Sequence, residues 1–198
     1  MRTDAKSPRT RGFDFTSAMR LVAHDMVERL PELAHIDMAR VCVAFSTTRS
    51  RSPYGIQASL TPLRFPGGAL EGKRRGRRYR VQQVRDIHGN EMLYIFTSYL
   101  PRFMDLPFHE KLVTILHELW HIGPQFDGDI RRHAGRCFAH SSSQKAYDAE
   151  MARLADRWLA SNPAETLYAF LHHNFDSVVQ AHGKLYGIRI ARHKLIPV

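Results

Sequence analysis

Residues 108–122, FHEKLVTILHELWHI, constrain the fold more than any other stretch of the chain. Phe108, Leu112, Ile115, Leu116, Leu119 and Ile122 recur at helical spacing, which predicts a helix with one buried apolar stripe. Asp105 is expected to cap its start, Pro107 is tolerated in its first turn, and Gly123-Pro124 stops it. The same helix carries His117-Glu118-Leu119-Trp120-His121, an H-E-x-x-H motif. Imidazoles four residues apart lie on one helix face, a turn from each other, where both rings can bind a single Zn2+ ion. Glu118 leaves the helix about 100° around and can reach a water activated there as a general base. With 12 His and 8 Glu in 198 residues, chance would supply such a motif roughly 0.03 times. Two imidazoles on a buried helix are costly unless something engages them. The pattern therefore predicts zinc-assisted hydrolysis, most commonly of a peptide bond.

Hydrolytic zinc usually has three protein ligands and an open position. Three downstream residues are candidates for the third: Asp127, ten residues after His117, His133, and His140. Asp127 stands at the offset where some metzincin-like enzymes place their last ligand, but those motifs want a glycine three residues after the second His, and here that place is Pro124, with the glycine at 123. His140 falls where an irregular segment gives way to a helix that would fix its backbone. Asp127 or Asp129 can orient a ligand imidazole, or else pair with Arg131 or Arg132.

Length predicts one domain with a basic, polar tail over residues 1–12 and a folded unit over 13–198. The net charge of +10 favours anionic partners. Six cations (Lys73, Arg74, Arg75, Arg77, Arg78, Arg80) lie within eight residues around Tyr79, which suggests a nucleic-acid contact or a hairpin loop charged for solubility. The two cysteines, Cys42 and Cys137, make neither a zinc ribbon nor a disulfide framework, which fits a reducing compartment. The N-terminus lacks the apolar core of a secretory signal and no window suits a membrane span, so a cytoplasmic location is expected, without membrane contact. Oligomeric state is open.

Along the chain, helices are expected over 15–33 (capped by Thr16 or Ser17), from Ser142 or Ser143 to Leu159, and over 164–172. Strands are expected over 37–48, 56–65 (interrupted by Pro62), 81–86 and 92–100, with a hairpin at His88-Gly89-Asn90 and a further strand in 184–198. Residues 126–139 read as irregular. The order predicts an α+β fold: an N-terminal helix, a small antiparallel or mixed sheet, the H-E-x-x-H helix and a further helix. The strand before that helix, 92–100, is expected to run along the cleft and hold an extended peptide by edge pairing.

The stretch HELWHIGPQFDGDIRRHAGRCFAHSSSQKAYDAEM, with YLPRFMDLP before it, resembles a family of metallopeptidases found in phage and bacterial genomes. It is more distantly similar to the SprT-like zinc proteases, although it has no Cys-rich zinc ribbon. The resemblance covers roughly residues 90–150. It implies a zincin-like domain of minimal gluzincin or SprT-like type, with Zn2+ as cofactor and a protein or peptide as substrate. It further implies His117 and His121 as helix ligands, Glu118 as general base and His140 as the loop-to-helix ligand. Two other functions fit the residues: a basic nucleic-acid-associated protein with a structural zinc, and a zinc hydrolase of a non-peptide amide.

Overall fold

The computed structural model describes residues 12–52, 54–132, 144–191 and 193–198, with the backbone alone for 144–146. Its elements run β1 (Phe13–Asp14), α1 (Phe15–Arg29), β2 (Val41–Thr47), β3 (Ala58–Pro62), β4 (Glu71–Arg74), β5 (Arg77–Val81), β6 (Val84–Arg85), β7 (Glu91–Met92), β8 (Tyr94–Leu100), α2 (Phe108–Trp120), α3 (Gln144–Ala160), α4 (Glu165–Tyr168), α5 (Phe175–His182), β9 (Leu185–Tyr186) and β10 (Leu195–Pro197). The chain is thus mixed α+β, as its sequence indicates. No helix among the described residues is long and apolar enough to cross a membrane.

The central sheet has three strands in the order β2-β8-β3, with β2 parallel and β3 antiparallel to β8. The expectation that 92–100 forms the substrate edge is therefore corrected: among the described residues β8 is the middle strand, β2 and β3 are the outer ones, and β3 is the outer strand beside α2. The physical reason is double burial. Tyr94, Phe96 and Leu100 of β8 face the helices, while Ile95 joins a satellite cluster with Ala44, Leu63, Val81 and Met92 on the opposite face. A strand covered on both sides reads as a continuous apolar run, whether or not it is an edge.

The main core lies between this sheet and α1, α2 and α3. Leu112, Ile115, Leu116 and Leu119 of α2 are fully buried in it, each contributing about 1.5–3 kcal/mol by burial. Trp158 of α3 is also fully buried; its indole N–H donates to the Asp25 carboxylate of α1 at 2.8 Å.

Several helix ends differ from expectation. Asp14, not Thr16 or Ser17, caps α1, accepting from the Ser17 N–H at 3.1 Å, and α1 stops at Arg29 because Pro31 opens a separate 3-10 turn. Pro107 occupies the N-cap of α2, and the Asp105 carboxylate instead accepts the Phe175 N–H at 3.2 Å. The strand expected over 37–48 begins at Val41, because Asp37 caps a 3-10 turn through the Ala39 N–H. The basic run is itself β-structure, and the 184–198 tail supplies two short strands to different sheets, β9 beside β1 and β10 beside β5. The expected hairpin at His88-Gly89-Asn90 is present as the β6–β7 pair. The tail at 1–11 and the proposed caps Ser142 and Ser143 lie outside the described residues.

One buried charge links α2 to the C-terminal helices. Lys111 is 2% exposed, and its ammonium donates to the carbonyls of Leu171 at 2.8 Å and His173 at 2.7 Å. Burial draws its pKa down from 10.5 to about 8, opposed by the Asp105 charge. The folded chain therefore releases this proton at lower pH than the unfolded chain, and folding stability rises with pH between about 8 and 10. Below pH 8 both states hold the proton and the full cost of the buried charge is present. Above pH 10 unfolded tyrosines ionise while Tyr94, pushed up to about 12 chiefly by burial, keeps its proton, which reverses the trend. Urea titrations should show wild type gaining roughly 2 kcal/mol between pH 7 and 9.5 relative to Lys111→Met. Parallel pH profiles for the two proteins would show that the ammonium is not buried as described.

Candidate metal centre

The last turn of α2 gathers the motif. The His117 and His121 rings lie with centroids 4.8 Å apart, at 80° to one another. Two imidazole nitrogens each about 2.0–2.1 Å from one zinc ion require rings this close. His121 stands at the C-cap, and its N–H donates to the Glu118 carbonyl at 3.2 Å, so the turn is tightened to i→i+3 bonding.

Glu118 is 8% exposed. Burial pushes its carboxyl up to about 7, and the backbone N–H of Leu60, turned toward it from β3, works in the opposite direction. A carboxyl balanced near neutrality suits general acid–base work. Beside it, a pocket of about 420 Å3 opens between β3 and α2, lined by Ala58, Val113, His117 and Glu118 among others.

The β3 edge completes this cleft. Gln57 O accepts from Tyr99 N–H and Leu63 N–H donates to Leu93 O, so the odd-numbered positions of this segment pair inward with the β8 side. By alternation, the backbone groups of Ala58 and Leu60 point to the open side. Among the described residues no strand pairs with that side.

Tyr147 of α3, which sequence reasoning did not single out, closes the site from the other direction. Its ring stands edge-on to His117 at 4.9 Å and stacks with His121 at 6.4 Å, and its hydroxyl donates to the His117 carbonyl at 3.4 Å. Burial, followed by the nearby Glu118 charge, pushes its phenol pKa up. Nothing in the spacing of the sequence connects this tyrosine with a motif 30 residues earlier.

The 126–132 run ties the chain back onto the site. Arg131 N–H donates to His121 O at 2.7 Å, and the Arg131 guanidinium donates to Trp120 O at 2.8 Å while lying 4.3 Å from the Trp120 ring. The Tyr94 hydroxyl donates to Asp129 O at 2.8 Å and accepts from Gly128 N–H at 3.0 Å. Gly128 has φ +89°, and a Cβ there would meet the Arg64 side chain at 2.5 Å, so glycine is required.

Among the described residues no three His, Cys, Asp or Glu side chains form a metal-holding group. Asp127 is not brought to the two imidazoles: its carboxylate accepts the Asp129 N–H at 3.0 Å and packs against Gly68. Asp129 pairs with Arg132 at 2.9 Å, one of the two roles expected for it. His133, His140 and Cys137 lie outside the described residues. Among the described residues nearest to 133–143, Arg131 bonds to the His121 carbonyl and Tyr147 packs against both imidazole rings. Cys42 is half-buried, and its thiol is pushed up by burial.

Lys73, Arg74, Arg75, Arg77, Arg78 and Arg80 are all exposed on the β4–β5 hairpin, away from this centre. Compared with family models, curated proteins and solved structures, the chain finds no match in any of the three.

Proposed function

We propose that this chain is a zinc-dependent metallopeptidase with a zincin-like site, in which His117 and His121 hold the ion together with a third ligand, His140 or alternatively His133. The observation that carries this reading is the convergence of two imidazoles 4.8 Å apart with a buried carboxylate beside an open sheet edge. Zinc held there would supply a Lewis acid that polarises a carbonyl and eases deprotonation of water.

The protein's own groups do the rest. The β3 edge takes an extended peptide through the backbone groups of Ala58 and Leu60. Glu118 accepts a proton from water at its carboxylate as the water oxygen adds to the peptide carbonyl carbon. When the C–N bond breaks, the same carboxyl delivers that proton to the departing amine. Tyr147 holds the turn carrying both imidazoles by ring packing and by its hydroxyl on His117 O.

The test is metal content and proteolysis on the intact chain. Wild type, purified with zinc present, should carry one equivalent and cleave an unfolded protein substrate. His117→Ala should lose both, at least tenfold in metal affinity. His140→Ala and His133→Ala, measured alongside, identify the third ligand as whichever loses the metal. A zinc-replete chain that holds no metal ends this reading.

A further inference from the structure

The cations of the basic run are not equivalent, and the difference follows from strand register. Arg80 lies opposite Glu71, and Arg78 opposite Lys73. On that face Glu71 binds both Arg80, at 2.6 Å, and Arg78, at 3.0 Å, and its own pKa is lowered by them, Arg80 first. The other face is different. Tyr79 lies opposite Gly72, Val81 opposite Leu195, and Arg74 opposite Arg77. Phe65 packs flat over Gly72, where a Cβ would sit 2.4 Å from its ring, so only glycine lets the aromatic close down there.

This face forms one side of a groove of about 700 Å3, which is bounded by β3 on its other side. Its lining includes Tyr79, Phe65 and Val81, with Arg74 and Arg75 at the hairpin turn and Lys194 before β10. Among the described residues no carboxylate pairs with Arg74, Arg75 or Lys194. Arg64, also in the lining, is held by Glu91 at 2.7 Å.

The placement of these cations selects the ligand. Arg74 and Arg75 sit beside the start of β5, and Lys194 beside its end at Val81. Four residues of strand separate the two positions, about 13 Å. A single phosphate or carboxylate cannot bridge that span, but a chain with charge repeated along its length can. Between the cations lie aromatic and apolar side chains, which suit the flat faces of bases and offer nothing to a glutamate-rich peptide. The groove is concave, a shape that suits a flexible single strand better than a flat lipid surface or the outside of a duplex.

We propose that this groove is a binding site for single-stranded nucleic acid, with phosphates on Arg74, Arg75 and Lys194 and bases against Tyr79. The site is separate from the metal centre: Thr61 and Pro62 of β3 face the groove, while Leu60 N–H is turned toward Glu118. Binding therefore does not depend on hydrolysis.

The test is fluorescence anisotropy of a labelled oligothymidylate with the full chain across a salt series. Three phosphate contacts predict a slope of log K against log salt of about −2. Arg74→Ser/Arg75→Ser/Lys194→Ser should weaken binding about tenfold or more. Glu71→Gln/Arg78→Gln/Arg80→Gln, which alters the opposite face of the same hairpin, should stay within about threefold of wild type. Tyr79→Leu should lose about tenfold and Tyr79→Phe should not, because a ring is what a base stacks on. Glu118→Gln should bind as wild type does, which separates this proposal from the peptidase reading. Circular dichroism confirms that each variant is folded. The proposal is overturned by absence of binding at low salt, by equal losses for the two hairpin faces, or by polyglutamate, anionic vesicles or duplex competing as well as the single strand.

Discussion

Glu118→Gln is expected to lower peptide hydrolysis by a factor of about 10²–10⁴ while leaving zinc content at the wild-type level. The substitution preserves size and keeps an oxygen that can face the Leu60 N–H, but the amide cannot take up a proton. Fold stability should hold or rise slightly, because burial already favours the neutral form of this side chain. The paired readout matters. Loss of both metal and activity would indicate that the substitution disturbed the last turn of α2. Loss of activity alone isolates proton transfer. Full turnover in the variant would remove Glu118 from the chemistry.

Trp158→Ala is expected to be the most destabilising single substitution considered for the fold. The indole is fully buried, stacks edge-on with Tyr168 at 5.4 Å and donates to Asp25 of α1. Truncation of a buried tryptophan costs about 3–5 kcal/mol through lost burial and the void left behind. For a chain of this length that lowers Tm by about 6–20 °C. The effect should reach the proposed metal centre, since Trp158 fixes α3 to α1 and α3 carries Tyr147. Trp158→Phe should recover most of the packing but not the N–H to Asp25. Calorimetry with and without added zinc would separate the two contributions: the stabilisation by zinc should shrink in the alanine variant. A Tm within a degree or two of wild type would contradict the packing of α3 on α1.

The α2 helix was legible because its signal is local: apolar positions at helical spacing fill the core, and a glycine-proline pair follows. The α+β class followed from the alternation of such segments. What could not be read was partnership. Met92 to Leu100 looks like a strand, but whether it pairs on one side or two depends on β2 and on β3, the latter more than 30 residues away. The edge was therefore assigned to the wrong strand. The cap of α2 went astray because Asp105 is needed by Phe175, a contact across 70 residues. Helix α5 was overlooked although Asn174 and Gly183 mark its ends; its apolar content, Phe175, Val178 and Val179, is too short a pattern to stand out. The cation-rich hairpin was visible as composition, but its division into a neutralised face and an open one appears only when Glu71 is set opposite Arg80. Among the site residues, His117, Glu118 and His121 came from spacing alone, whereas Leu60 and Tyr147 arrive from distant segments and carry no mark of that in the sequence.

The direction of the Leu60 amide has a consequence for how a peptide would lie in the proposed cleft. An added chain zips onto a sheet border by a regular series of N–H to carbonyl rungs. At Leu60 the outward amide also faces the Glu118 carboxyl, so a guest carbonyl that takes this rung comes to lie beside that carboxyl. In the proposed reading this sets the register of the guest chain: the peptide bond beside that rung is the one within reach of Glu118 and the two imidazoles.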